Sequence, residues 1–148
     1  MKKLLTIGVA VLLLALAGVG LVSCFWKDEE QAARAQIKRT FEVDVPTEAE
    51  LAYYYHQDSF QDWTTYCAFT FENQPINWLE ESGFSSEKDE DFEWSINEFL
   101  RWRTEGKKPT PQEYIPTFDG EYFWRQKGTH FLVYLPQKSM LVAYFVKM

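Results

Sequence analysis

The chain has 148 residues, a formal net charge of −7 and many aromatic side chains, namely 6 Trp, 8 Tyr and 12 Phe. This length suits one domain that buries roughly two thirds of its unfolded surface, and it excludes two sizeable cores. The acidic balance argues against nucleic-acid binding, which needs clustered Lys and Arg, and the apolar and aromatic content argues against intrinsic disorder.

Residues 1–23 differ in composition from the rest of the chain. They contain no acidic and no aromatic residue, whereas residues 24–148 carry 13 Lys and Arg against 22 Asp and Glu, a formal charge of −9. A basic start with two lysines is followed by an apolar run over residues 4–16 and then by small and apolar residues. This order predicts an export signal. The apolar span over residues 4–22 also approaches the roughly 20 residues that cross a bilayer, so an uncleaved membrane helix is the alternative.

The residues Leu21, Val22, Ser23 and Cys24 end this amino-terminal segment. They resemble the lipobox of bacterial lipoprotein precursors, in which a branched apolar residue, a tolerant position and a small residue precede an obligatory cysteine. The resemblance implies that Cys24 receives a diacylglyceryl group and that a signal peptidase cuts between Ser23 and Cys24. Two or three acyl chains on Cys24 would give lasting attachment to a membrane, which a single chain does not.

Both hypotheses for the amino terminus place the remaining chain outside the cytoplasm. They leave Lys2 and Lys3 inside and the acidic residues Asp28, Glu29 and Glu30 outside, as the positive-inside bias requires. We therefore expect an exported protein anchored on the outer face of the cell membrane, or at the outer membrane if the host is Gram-negative.

The predicted organisation has three regions. Residues 1–23 are a lipoprotein signal peptide, residues 24–39 a lipidated tether, and residues 40–148 a single globular domain. The acidic residues 28–30 favour the amino end of a helix in the tether, and a loose stalk is the alternative.

Two short elements are predicted at the start of the globular domain. Alternating apolar residues predict a strand over residues 40–45, which Pro46 ends. Thr47 and Glu50 have the spacing of a capping box, which predicts a short helix starting there. The three tyrosines at positions 53–55 also have strand propensity, so the end of this helix is open.

The middle of the chain contains clearer patterns. Residues 64–71 alternate as a strand, with Cys67 on the more apolar face. A preceding proline and a following glycine favour a short helix over residues 76–82, and residues 85–91 form an acidic loop.

Residues 92–104 have the periodicity of an amphipathic helix. At 100° per residue, its apolar side chains share one broad face: Phe92, Ile96, Phe99, Leu100 and Trp102. Trp94 falls on the opposite face, which a domain of this size can hardly bury as well.

Three aromatic or β-branched runs close the chain, over residues 121–126, 129–135 and 139–147. Turn residues separate them, which predicts an antiparallel meander. The middle run is apolar on both faces and is predicted as the central strand. The predicted fold is a small single α+β domain, with an antiparallel sheet, a C-terminal three-strand meander and two or three short helices.

Few residues suit catalysis or metal binding. Cys67 with His56 or His130 is the candidate for nucleophilic chemistry, but Cys67 has no glycine elbow and neither histidine has a patterned acidic partner. Two isolated histidines do not supply a metal site, and the acidic loop lacks the alternating Asp and central Gly of an EF-hand. Among 22 acids, some paired carboxylates are inevitable, so a glycosidase pair carries no signal. The sequence predicts no catalytic residue, no metal and no cofactor besides the covalent lipid on Cys24.

The aromatic residues suggest binding instead. Most are expected in the core, but Trp94, with Trp63 and Trp78 in nearby polar segments, forms a candidate contact set. Trp and Tyr are the usual anchors at protein interfaces, and their flat faces also stack on sugar rings. The expected function is non-enzymatic binding of an envelope component or exported protein, and the alternative is binding of cell-wall or surface glycans.

Overall fold

A computed structural model of the chain describes residues 28–59, 62–104 and 109–147. Within these residues, three α-helices and five strands form a small α+β domain, which confirms the predicted fold class. The predicted signal peptide and the lipobox, including Ser23 and Cys24, lie outside the described residues.

The helices and strands lie along the chain as follows: α1 (28–41), β1 (Glu50–Ser59), β2 (Asp62–Thr70), α2 (Ile76–Glu81), α3 (Glu90–Thr104), β3 (Phe123–Lys127), β4 (His130–Leu135) and β5 (Met140–Lys147). The strands form one antiparallel sheet in the order β1-β2-β5-β4-β3. Strands β3, β4 and β5 form the C-terminal meander, as the sequence predicts.

Both faces of the sheet are buried, each under different elements. On the face that we call the α1 face, side chains such as Cys67 and Phe69 pack under α1 and α2. On the opposite face, the α3 face, side chains such as Tyr66 and Ala68 pack under α3 and the segment that follows it. The sheet is therefore the middle of three layers, because successive side chains of each strand point to opposite faces.

Helix α1 belongs to the core of the domain. Its residues Ala33, Ile37 and Phe41 are spaced by four and are all buried on the α1 face. The helix ends where Glu42 adopts a left-handed φ of 60°. Residues 28–41 are thus a packed helix and not a loose stalk.

Arg34 joins α1 to the segment that leads into β1. Its guanidinium forms an ion pair with Glu30 at 2.8 Å. It also donates to the carbonyl oxygens of Val45 and Pro46, both at 2.9 Å, and to that of Ala49. One side chain therefore satisfies three backbone acceptors that lie outside any strand ladder.

The prediction of a strand over residues 40–45 is wrong. Phe41 belongs to α1, and residues 43–46 form no regular element and pair with no described strand. Val43 and Val45 are nevertheless buried in the core. The alternation in this segment reflects packing against the α1 face, which the pattern alone cannot distinguish from a strand.

The prediction of a helix starting at Thr47 is also wrong. Residues 47–48 form a turn, in which the Ala49 N–H donates to the Pro46 carbonyl at 3.1 Å, and β1 begins at Glu50. The tyrosines at positions 53–55 pair with Ala68, Cys67 and Tyr66 of β2. Long-range pairing and strand propensity outweigh the local capping signal here.

The central strand of the sheet is β5, not β4 as predicted. Strand β5 pairs with β2 on one side and with β4 on the other, and residues 140–146 are all buried. Strand β4 is also buried, but its outer neighbour β3 is an edge strand. The prediction failed because the pairing of β2 with β5 joins residues 70 to 84 positions apart in the sequence.

Candidate functional site

Trp94 lies on the outer face of α3. Its side chain is 67% exposed. Among the described residues, Ile76 is a second exposed large apolar side chain, at 56%. The sequence predicts the exposure of Trp94, since the side chains on the opposite side of α3, Phe92, Ile96 and Leu100, are buried. An indole exposed to this extent lacks the stabilisation that burial would provide, so Trp94 is the leading candidate for a contact residue.

The inner face of α3 fixes the position of Trp94. The Phe92 ring stacks on Trp124 with centroids 4.2 Å apart and meets Phe131 edge-on at 5.6 Å. At the amino end of the helix, the Asp89 carboxylate accepts the Phe92 N–H at 2.9 Å. Asp89 lies in the predicted acidic loop, and its carboxylate caps the amino end of α3.

Tyr122 adds a second connection at the same end of α3. Its hydroxyl donates to the Glu93 carboxylate at 2.7 Å and accepts the Asp89 N–H at 2.9 Å. Burial raises the pKa of Tyr122, and the Glu93 carboxylate raises it further. The neutral phenol therefore persists as a donor at physiological pH, and the helix end beside Trp94 is held firmly.

Charged and polar residues surround Trp94 on the same helix face. At 100° per residue they lie within about 60° of it: Glu90, Asp91, Asn97, Glu98 and Arg101. Arg101 and Glu98 form an ion pair at 3.2 Å, so Glu90 and Asp91 supply the excess negative charge. We call this group the Trp94 surface: one exposed indole with carboxylates beside it.

Trp63 and Trp78 do not join the Trp94 surface. Both are half-buried against the core cluster of the α1 face, whereas Trp94 lies over the α3 face. Trp63 stacks on His130 with centroids 6.3 Å apart. Trp78 packs 5.2 Å from Phe84 and donates its indole N–H to a backbone carbonyl at 2.8 Å. The structure thus separates the three tryptophans of the candidate set and gives two of them packing partners.

Cys67 is a core residue of β2. It is fully buried, and burial raises the pKa of its thiol to about 12. Since the thiolate is the nucleophilic form, this side chain cannot act as a nucleophile near neutral pH. Its burial agrees with the predicted position of Cys67 on the more apolar face of the strand.

His56 has an acidic partner that sequence reasoning missed. Its Nε2 lies 3.2 Å from the Asp58 carboxylate, and its Nδ1 lies 2.7 Å from the Thr65 hydroxyl. The signal was the i, i+2 spacing of His56 and Asp58, which places both side chains on one face of β1. A hydroxyl, an imidazole and a carboxylate in line can serve as a nucleophile with its base. Thr65, however, is completely buried, so this network links β1 to β2 and offers no hydroxyl to a substrate.

His130 is also held in a structural environment. Its Nδ1 accepts the Val146 N–H at 3.3 Å, and its ring stacks on Trp63. Burial lowers its pKa. Both histidines and Cys67 are thus engaged in separate contacts rather than in one reactive cluster.

A small apolar cavity lies under α3. This cavity of about 10 Å³ between α3 and the sheet has apolar walls and room for about one water molecule. Within residues 28–59, 62–104 and 109–147, no three His, Cys, Asp or Glu side chains converge to hold a metal ion.

A shallow groove runs beside α2. Its walls include Pro46, Glu48, Ile76 and Trp78. Sequence reasoning placed Ile76 in a short helix and did not predict its exposure, since six residues are too few for a clear periodic face.

None of the helices described here is both long and apolar enough to cross a membrane. Comparisons with protein-family models, with curated proteins and with solved structures find no match to this chain.

Proposed function

We propose that this protein is an envelope lipoprotein, anchored through a lipid on Cys24, whose domain binds another protein through the Trp94 surface. The anchor is supported by the basic start, the apolar run and the lipobox ending at Cys24. Cleavage between Ser23 and Cys24 would leave every described helix and strand intact, because α1 is described from residue 28 onwards.

The 67% exposure of Trp94 carries the binding proposal. A large indole on a helix whose other face is buried has the form of a protein-interface anchor, which inserts into a pocket of a partner. The flanking carboxylates of Glu90 and Asp91 select a partner whose pocket is bordered by Lys or Arg, and the charge of −9 on residues 24–148 favours the same partner class.

The binding proposal is tested by pull-down from detergent-solubilised envelopes of the source cells. The full-length protein is compared with Trp94→Ala and with Ile76→Ala, a matched loss of an exposed apolar side chain elsewhere on the domain. We expect Trp94→Ala to weaken partner binding at least about 30-fold, the effect of removing a residue that contributes about 2 kcal/mol. Ile76→Ala should bind as the unchanged protein does, and thermal unfolding confirms that both variants remain folded.

Retention of every partner by folded Trp94→Ala would refute the role of Trp94. Sedimentation with purified cell-wall glycan separates the alternative. If the protein sediments with glycan and Trp94→Ala does not, the indole stacks on sugar and the partner is not a protein.

The anchor is tested separately with Cys24→Ala. We expect the wild-type protein to incorporate labelled fatty acid and Cys24→Ala to accumulate as an uncut, unlabelled precursor. Label that is still incorporated by Cys24→Ala would contradict the assignment of the lipid to this cysteine.

A further inference from the structure

Helix α1 crosses the sheet from one edge to the other. At the middle of the helix, Arg34 donates to the Ala49 carbonyl, next to the start of β1, and lies over the Phe69 ring of β2 at 5.1 Å. Nearer the amino end, Glu29 lies close to Tyr54 of β1: burial raises the pKa of Tyr54, and the Glu29 carboxylate raises it further. At its carboxyl end, Phe41 packs 6.0 Å from Phe145 of β5 and lies under Arg125 of β3, also at 6.0 Å. The contacts of α1 therefore proceed from the β1 edge to the β3 edge.

The dimensions agree with this path. The 14 residues of α1 extend about 20 Å at 1.5 Å per residue. Four strand spacings separate β1 from β3, which is about 19 Å. The helix is therefore long enough to reach from the β1 edge to the β3 edge.

Chain length ties the β1 side of the domain to Cys24. Four residue steps separate Cys24 from Asp28, which span at most about 14 Å whatever path they take. If Cys24 carries a lipid, the amino end of α1 cannot move farther than this from the membrane interface, whereas this limit does not hold β3, which lies about 19 Å from β1 across the sheet.

The two edges of the sheet also differ in the backbone pairing on their outer sides. The outer side of β3 is bridged by Ser85, which exchanges two backbone hydrogen bonds with Trp124, both at 2.9 Å. No described strand pairs with the outer side of β1. Strand β1 carries three consecutive tyrosines, residues 53–55, all half-buried. Tyrosine, with an apolar ring and a polar hydroxyl, suits the headgroup layer of a membrane.

We propose that the β1 edge of the domain faces the membrane and rests against its lipid headgroups, with the β3 edge turned away. The inference rests on the proposed lipid at Cys24. Carboxylates at this edge, on Asp28, Glu29 and Asp58, repel anionic lipids, so the surface fits zwitterionic headgroups. The Phe92 and Trp124 contact places the amino-terminal part of α3, with Trp94, near β3. A partner would therefore reach Trp94 from the aqueous side.

The orientation is tested with two matched probes on the full-length, lipidated protein. Gln57 of β1 and Gln126 of β3 are both exposed, lie on opposite edges and belong to the α3 face. Gln57→Cys and Gln126→Cys are each labelled with a fluorophore, while buried Cys67 stays unlabelled. Both proteins are reconstituted into phosphatidylcholine vesicles that contain a lipid with a nitroxide on its headgroup.

We expect several-fold stronger quenching of the probe at position 57 than at position 126. A Gly/Ser insert of 20 residues between Lys27 and Asp28 should abolish the difference, because its end-to-end distance of about 25 Å frees the domain. Mass spectrometry of Cys24 reports the lipid independently.

The outcomes separate the two proposals. If Cys24 is lipidated and the two probes are quenched equally, the orientation is wrong and the anchor stands. If both probes are protected from quenching and cross-linking captures a dimer through β1, a second copy of the chain occupies this edge. The proposed membrane contact is then overturned. If Cys24 carries no lipid and neither probe is quenched, both proposals fail.

Discussion

Replacing Arg34 by Met should destabilise the domain more than any other single change of a charged residue in α1. The guanidinium donates to the carbonyls of Val45, Pro46 and Ala49 and thereby holds the segment before β1 against α1. Methionine keeps the length of the side chain and a similar helix propensity, so the loss is confined to the hydrogen bonds and the charge.

The magnitude follows from the burial of the three acceptors. Val45 and Ala49 are buried, so water replaces the lost donor poorly at their carbonyls, whereas Pro46 is half-buried and is rehydrated more easily. A hydrogen bond to a charged donor contributes about 1.5 kcal/mol, so two unreplaced bonds predict a loss of about 3 kcal/mol. Loss of the contact between Arg34 and the Phe69 ring adds a smaller amount in the same direction.

Urea unfolding of the purified protein, followed by circular dichroism, measures this loss. At a slope of about 1.5 kcal/mol per molar urea, the midpoint of Arg34→Met should fall by about 2 M. Arg34→Lys should be intermediate, because one ammonium cannot match three carbonyls as the planar guanidinium does. The control is Arg39→Met, a change at an exposed position of the same helix, which should stay within about 0.5 kcal/mol. Equal midpoints for Arg34→Met and Arg39→Met would refute the reasoning.

Two further predictions concern buried Cys67 and half-buried His130 in the sheet. Cys67, with its pKa raised to about 12, should resist a maleimide in the native protein and react once urea unfolds the chain; equal rates in both states would show that it is accessible. Burial lowers the pKa of His130 below its ordinary value of 6.5, so the unfolded chain binds the proton more readily. The free energy of unfolding should therefore fall as the pH drops below 6.5 and level off below the folded pKa. His130→Asn should reduce that slope in urea titrations at several pH values, and an unchanged slope would exclude His130 as its source.

Much of the C-terminal half of the fold could be predicted from the sequence. Helix α3 and the β3-β4-β5 meander have strong local signals, namely a long amphipathic period and turns with Gly128 at a φ of 61°. The same period located Trp94 on the outer face, so the leading site residue was accessible to sequence reasoning. The grouping of Trp63 and Trp78 with it was not supported, because nearness in sequence does not show on which face of the sheet a residue lies.

The remaining features depend on partners distant in the chain. The spacing of Thr47 and Glu50 is the same in a helix cap and in the turn before β1, and only pairing with β2 selects the strand. Likewise, the sequence identifies Arg34 only as a charged residue of a helix. The fold brings three backbone carbonyls within hydrogen-bond distance of its guanidinium.

By itself, the sequence determined the fold class, the local elements with strong periodicity and the outward position of Trp94, and it is the sole basis for the proposed lipid at Cys24. Only the tertiary structure decided that β5 is central, that α1 spans the sheet from the β1 edge to the β3 edge, and that His56 meets both Asp58 and Thr65. The physical reason is the range of the interactions. Periodicity and turn residues act over a few positions, whereas strand order and side-chain clusters depend on contacts between segments far apart in the chain, whose free energy no local pattern records.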